Sequence, residues 1–255
     1  MYKVKLGSGI VRFAAVSDKG RVRELNEDSY RVITGHDKIP DAFIIADGMG
    51  GHSSGDVASN MAVEFAKEYI LNNPEIFSSD ENTLNGIKIL MEEANRAIYE
   101  KASHSEENSG MGTTFIVTVV LNNKIYIGHV GDSRVYLIRN NSIKRLTMDH
   151  SYIEELIKNG SITREEAQNH PKKNIITRAL GCNANILVDT LNSSIDENDI
   201  FVLCTDGLTN MLSDDEIMKI ILENDNPSYS CNELVRLANE KGGDDNITVV
   251  ILKDK

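Results

Sequence analysis

Several carboxylates in this chain stand at the ends of apolar runs, where a charge is hard to place. In IIADGMGGH, Ile44 to His52, a run that reads as a buried strand stops at Asp47, then at a glycine-rich turn, then at a histidine. DIFVLCTDGL, Asp199 to Leu208, repeats the layout of DAFIIADGMGG: an acidic start, an apolar run, then Asp-Gly at Asp206. Asp132 sits in the turn VGDSR, Asp245 in KGGDDNITVV before a closing apolar run, and Asp28 directly before SYRVI. An uncompensated carboxylate at such a place is costly. Strand ends on one rim of a layered sheet converge, so these five acids are candidates for one oxygen-rich pocket. Carboxylates that close do not all stay ionised alone, and a hard divalent cation is the usual remedy. With histidine sparse and the cysteines scattered, the donors suit magnesium or manganese rather than zinc or copper. Gly48, lacking a side chain, lets its own carbonyl reach such an ion. Taken singly, each acid has a plainer use: Asp-Gly is turn chemistry, Asp132 fits an Asx-turn, and Asp245 fits a loop acid beside Asp244. All of them at strand boundaries, two closing apolar runs, favours the pocket.

The elements that must position these residues follow from periodicity. RFAAV, DSYRVI and DAFIIA are strand-like, rich in branched and aromatic residues and bounded by Gly, Asn or Asp. From Val57, Ala58, Met61, Ala62, Phe65, Ala66 and Tyr69 recur at helical spacing, and so do Leu84, Ile87, Leu90, Met91, Ala94 and Ile98. A meander follows in TFIVTVVL, KIYIGHV, RVYLIR and SIKRLT, joined by Asn122-Asn123 and Asn140-Asn141, pairs that suit tight hairpins. Ser151 with Glu154, Thr163 with Glu166 and Ser213 with Glu216 each match a capping box opening a helix. Strands are expected near Ile186 to Leu191 and Asp199 to Cys204, with NITVVIL as the closing strand. Runs of strands alternating with pairs of helices favour an antiparallel α+β layer fold over a doubly wound parallel sheet. No low-complexity linker divides residues 1–255, so one domain is expected, with residues from His150 to about Gly181 as a surface insertion.

Composition narrows the partners. The chain carries 27 Lys and Arg against 39 Asp and Glu, a net charge of -12, with no basic stripe to meet nucleic acid. Cys182, Cys204 and Cys231 are odd in number, widely spaced and free of Cys-x-x-Cys, which argues against a disulfide framework or zinc knuckle and for a reducing compartment. No apolar run nears the ~18 residues of a membrane span. A soluble cytoplasmic protein is expected.

Together SDKGRVRELNEDSY, ADGMGGH, SGMGTT, GDSRVY, DHS, ITRALG, TDGL and GGDDNIT, in that order across nearly the whole chain, resemble the type 2C protein phosphatases, the metal-dependent serine/threonine phosphatases, in their compact bacterial form. The resemblance implies a two-layer antiparallel β-sandwich flanked by pairs of helices, four layers α-β-β-α, with a metal centre at one edge of the sheets. It implies two or three divalent cations, manganese or magnesium. Asp47 would bridge two of them, Asp28 and the carbonyl of Gly48 would complete their shells, and Asp206 and Asp245 would bind on the other side. Glu27 would hold metal-bound water, Asp132 would join Asp206 at a third metal, and Arg23 would bind the substrate phosphate. Residues 150–181 match the flap that influences substrate choice. Many members carry a histidine, proposed as general acid, where this chain has Met49; His52, three residues on, is the nearest substitute, or it caps the helix starting near Ser54.

The implied reaction is hydrolysis of phosphoserine and phosphothreonine monoesters on proteins by a metal-bridged hydroxide, opposing a bacterial Ser/Thr kinase; a monomer is the default expectation. Arg23 suits phosphate because its planar fork donates two bonds while keeping its charge; the plainer reading is an ion pair with Glu24 or Glu27. No Cys-x5-Arg loop or Asp-x-Asp-x-Thr stretch suggests a covalent route. Two other functions share these features: a phosphatase-like binding protein without catalysis, which the full acid set disfavours, and a metal-dependent phosphodiesterase, which should need a nucleotide groove this acidic chain lacks.

Overall fold

The structure is a computed structural model and describes residues 2–6, 9–50, 54–104, 106–168 and 170–253. Its longest strands are apolar at nearly every position because both of their faces are covered. One sheet comprises β1 (Tyr2–Leu6), β2 (Gly9–Asp18), β8 (Arg134–Arg139), β9 (Ser142–Arg145), β11 (Ile200–Cys204) and β12 (Ile247–Lys253), in the order β1-β2-β12-β11-β8-β9. The other comprises β3 (Asp28–Ile33), β4 (Asp41–Met49), β6 (Phe115–Leu121), β7 (Lys124–Val130) and β10 (Asp189–Ser194), in the order β10-β7-β6-β4-β3, with the short β5 (Gly112–Thr113) on β4. Every pairing is antiparallel.

Alternation along each strand decides which layer a residue joins. Phe43 and Ile45 of β4 meet Phe13, Leu203 and Val250 of the opposite sheet, and Phe13 packs edge-on against Phe43 with ring centroids 5.2 Å apart. Ala42, Ile44 and Ala46 point the other way, against α1 (Ser54–Asn72) and α2 (Asp80–His104). The small Ala58, Ala62 and Ala66 bring α1 close to that face. On the far side Val202, Cys204, Val249 and Ile251 pack under α6 (Asp214–Glu223) and α7 (Pro227–Glu240). The expected four layers, α-β-β-α, are thus present, and each fully buried aliphatic side chain in them contributes about 1.5–3 kcal/mol.

Both asparagine pairs turn as expected. Asn122, Asn123, Asn140 and Asn141 have φ of 52°, 57°, 51° and 56°, closing two-residue hairpins after Leu121 and Arg139. Ser213 and Glu216 form a reciprocal capping box on α6, and Thr163 and Glu166 exchange bonds of 2.8 and 3.2 Å at the start of α4 (Arg164–Gln168). At α3 (Tyr152–Lys158) the box is only half made: Ser151 accepts from the Glu154 amide, but the Glu154 carboxylate goes to Arg145 and Arg164. The strand expected near Ile186 to Leu191 lies at Asp189–Ser194 instead, because Ile186 and Val188 pack against the helix-side core before the strand begins. Strand β1 and helix α7 were not expected from periodicity. Among the described residues no helix is long and apolar enough to cross a membrane.

Candidate metal centre

Strand pairing brings the first two acids together, since β3 and β4 run antiparallel with Asp28 directly opposite Asp47. The neighbouring sheet supplies the others from its own ends. Strand β11 stops at Cys204, Thr205 turns the chain, and Asp206 opens the short helix α5 (Asp206–Thr209). Asp245 lies just before β12, and Asp132 between β7 and β8. Burial, and then the fields of Asp28, Asp206, Asp132 and Asp245, push the Asp47 carboxyl well above the ordinary carboxylate range. The five expected acids therefore share one pocket.

Three of the other acids are raised for the same reasons. Burial, with Asp206 and Asp245 adding repulsion, lifts Asp28 to about 7 against two hydroxyl bonds that favour its charge. Burial and Asp206 lift Asp132 to about 8, and burial and Asp245 lift Asp206 to about 6. Among the described residues no three acids already clasp a single point, although Asp206 raises the proton affinity of Asp47 across the pocket.

Unpartnered oxygens show what the pocket fits. Asp28 Oδ2 accepts from the hydroxyls of Thr205 at 2.9 Å and Thr248 at 2.7 Å, while its Oδ1 is buried with no partner. Asp206 Oδ2 accepts from Asn210 Nδ2 at 3.0 Å, while its Oδ1 is likewise buried and unpartnered. Glu27 Oε1 is a third such atom, and burial holds its carboxyl above the usual range. Buried acceptors without donors are rare and costly in folded proteins. Oxygen donors with lone pairs to spare are what a hard divalent cation takes.

Gly48 has a packing reason beyond carbonyl access. A Cβ there would lie 2.0 Å from the Gly55 carbonyl oxygen and 2.7 Å from that of Glu27, so only glycine lets α1 approach β4 this closely. Its amide donates to the Glu27 carbonyl at 3.1 Å, tying the two candidate segments together. Arg23 departs from the plainer expectation of a pair with Glu24 or Glu27. Its Nη2 donates to Asp245 Oδ2 at 2.7 Å, which places an exposed guanidinium at the rim of the acidic pocket. His52 lies outside the described residues.

Uncharged residues that sequence reasoning did not single out organise the site. Asn246 accepts the Glu27 amide at 2.8 Å and donates to the carbonyls of Lys19 and Leu25 at 2.8 and 2.9 Å, so one buried side chain pins the whole 19–27 loop. Thr114 accepts the Asp47 amide at 3.0 Å and bonds Ser133 at 2.8 Å, linking Asp47 to the turn that carries Asp132. Their only sequence signal is adjacency: Thr205 precedes Asp206, Asn246 follows Asp245, and Thr248 stands two residues further on.

Comparison with known proteins bears on the family and the fold. The family model described as Protein phosphatase 2C matches residues 19–238. The serine/threonine phosphatase stp of Listeria monocytogenes serovar 1/2a is 38% identical over 237 residues, covering 93% of each chain. The structure of the S. agalactiae serine/threonine phosphatase superposes with a TM-score of 0.88 at 35% identity, covering 95% of this chain and 98% of that one. The catalytic domain of the serine/threonine protein phosphatase PstP, solved in complex with 2 manganese ions, superposes at 0.82 with 32% identity, covering 96% and 98%. A family match across most of the length, on a fold shared with solved serine/threonine phosphatases, makes this chain a member of the protein phosphatase 2C family.

Proposed function

We propose that Asp28, Asp47, the Gly48 carbonyl, Asp206 and Asp245 hold the divalent cations, manganese or magnesium, with which this protein phosphatase hydrolyses phosphoserine and phosphothreonine on proteins. The observation that carries the assignment is the convergence of five buried or half-buried carboxylates whose Asp28 Oδ1 and Asp206 Oδ1 have no partner. When bound, two such cations activate water at neutral pH and neutralise the phosphoryl oxygens.

The chain's own residues supply the rest. Asp47, opposite Asp28 and within the field of Asp206, would be the carboxylate shared between two ions. Asp132, whose proton affinity Asp206 raises, would be the ligand for a third. Glu27, held through the Gly55 backbone and with a buried unpartnered oxygen, would hold metal-bound water. Arg23 orients the phosphate: its second edge is free to donate while Nη2 rests on Asp245. His52 is the candidate proton donor for the leaving alkoxide. Residues 150–181 form a flap beside the site in a one-domain chain. A monomer working in the cytoplasm against a Ser/Thr kinase fits the acidic surface and the three free cysteines, two of them buried.

A phosphothreonine peptide and a dinucleotide, each assayed with manganese and with EDTA, test this reading. The peptide should lose phosphate only with the metal, and the dinucleotide should stay intact. Metal-independent turnover would overturn the cation assignment, dinucleotide cleavage would favour a phosphodiesterase, and cation binding without turnover would favour a binding protein.

A further inference from the structure

Glu154 occupies a capping position by spacing, yet the fold uses its side chain elsewhere. It is buried, at 8% exposure, and a buried carboxylate needs strong partners. Arg145, at the end of β9, donates to its Oε2 at 3.0 Å, and Arg164, at the start of α4, donates to its Oε1 at 3.2 Å. Arg145 also pairs with Asp149 at 3.2 Å, and Asp149 accepts three bonds of 2.7 to 3.1 Å from Arg134. A chain of charges thus runs from α4 through Glu154 to β8, the strand that follows the Asp132 turn. Its outer link is the exposed one, since the side chain of Arg164 is 66% exposed and that of Arg145 only 17%.

These residues line a cleft of about 600 Å³ between α3–α4 and residues 209–214. Asn210, on the opposite wall, is the residue that donates to Asp206. The cleft therefore opens beside the candidate metal centre, and its far wall stands where Glu154 holds it.

We infer that Glu154 is a positioning residue: by tying α4 to β9 it sets the width of this cleft, which receives the polypeptide flanking the phosphorylated residue. The inference rests on the protein phosphatase reading and adds the residue that shapes the substrate's path. A small aryl phosphate ends at its phosphate and ring and never enters the cleft. Loosening the wall should therefore weaken peptide binding and leave the small substrate untouched.

The manganese-loaded full chain, assayed on a phosphothreonine peptide and on p-nitrophenyl phosphate, tests it in Arg164→Met, Arg164→Lys and Glu154→Gln. Arg164→Met removes the exposed arm of the clamp and leaves the buried pair with Arg145. Its KM for the peptide should rise about fivefold, the worth of one half-exposed ion pair. Its kcat on the peptide and both constants for p-nitrophenyl phosphate should hold. Arg164→Lys, which keeps the charge, should restore most of the peptide KM, and Glu154→Gln should exceed Arg164→Met in the same direction. An unchanged peptide KM in Arg164→Met, or a parallel change on both substrates, overturns the clamp even where Glu154→Gln fails to fold. A wild type inactive on the peptide overturns the phosphatase reading as well, whereas an active wild type with an indifferent Arg164→Met overturns the clamp alone.

Discussion

Replacing Asp28 by Asn should stabilise the metal-free protein and abolish its response to metal. Asp28 is 8% exposed, and its carboxyl is lifted from an ordinary aspartate's 3.8 to about 7, chiefly through burial. At about 1.36 kcal/mol per tenfold change in proton affinity, full ionisation in the folded state costs roughly 4 kcal/mol. The folded value lies above the unfolded one, so the stabilising contribution is whole below about pH 4 and is lost as pH rises through about 7. Asn keeps an oxygen for the Thr205 and Thr248 hydroxyls and carries no charge at any pH. Asn remains a buried polar group with its amide nitrogen to satisfy, so about half of the cost should be recovered, roughly 2 kcal/mol at pH 8. In a chain of this size that raises Tm by about 4–8 °C. Melting curves at pH 5 and pH 8, in EDTA and in manganese, read the effect directly. In EDTA the variant should melt higher than wild type at pH 8, with less than half that gap at pH 5. In manganese the order should reverse, because wild type gains binding energy that the variant has lost. A variant no more stable than wild type at pH 8 in EDTA, or an equal manganese shift in both proteins, would refute the argument that Asp28 is a strained, cation-seeking carboxylate.

Two further substitutions probe parts of the same pocket. Asn246→Ala leaves the Glu27 amide and the Lys19 and Leu25 carbonyls without their partner, and should cost about 3 kcal/mol in a urea melt while raising KM through a displaced Arg23; a loss under about 1 kcal/mol would mean the 19–27 loop is held otherwise. Asp132→Ala relieves repulsion on Asp47 and Asp206 and should lower turnover at saturating manganese more than it weakens tight cation binding, seen by calorimetry beside steady-state kinetics; identical kinetics across the titration would remove Asp132 from the site.

Sequence reasoning went furthest where a single residue type dictates its own surroundings. A carboxylate ending an apolar run announces its cost, so Asp47 and Asp206 were legible, and the paired asparagines announced left-handed hairpins that the φ values bear out. It went least far where a residue matters through its distance partners. Arg23 and Asp245 meet across 222 residues, and nothing local distinguishes that pairing from one with Glu24. Glu154 satisfied the spacing of a capping box, and only the arrival of Arg145 and Arg164 redirects its carboxylate. Strand β10 was misplaced because Asp189–Ser194 is a polar edge strand whose apolar neighbours, Ile186 and Val188, belong to the helix layer. Helix α7 did carry its signals, Asn226 capping, Pro227 at the first turn and Cys231, Leu234, Val235 and Ala238 at helical spacing, which a reading led by the strand-end acids passed over.

The sandwich itself explains why the acids can be held at all. Asp28 and Asp47 belong to one sheet, and Asp206 and Asp245 flank strands of the other. The two hydroxyls on Asp28 Oδ2 come from Thr205 and Thr248, which follow or lie in strands of the opposite sheet. Asp28 therefore stitches the sheets together at the site, while the Phe13–Phe43 contact locks them within the core. Layers packed at the usual ~10 Å cannot slide to spread the repelling carboxylates apart. Repulsion that a loop would relax is retained here as raised proton affinity, and the same rigidity that makes the metal-free pocket costly is what a bound cation would relieve.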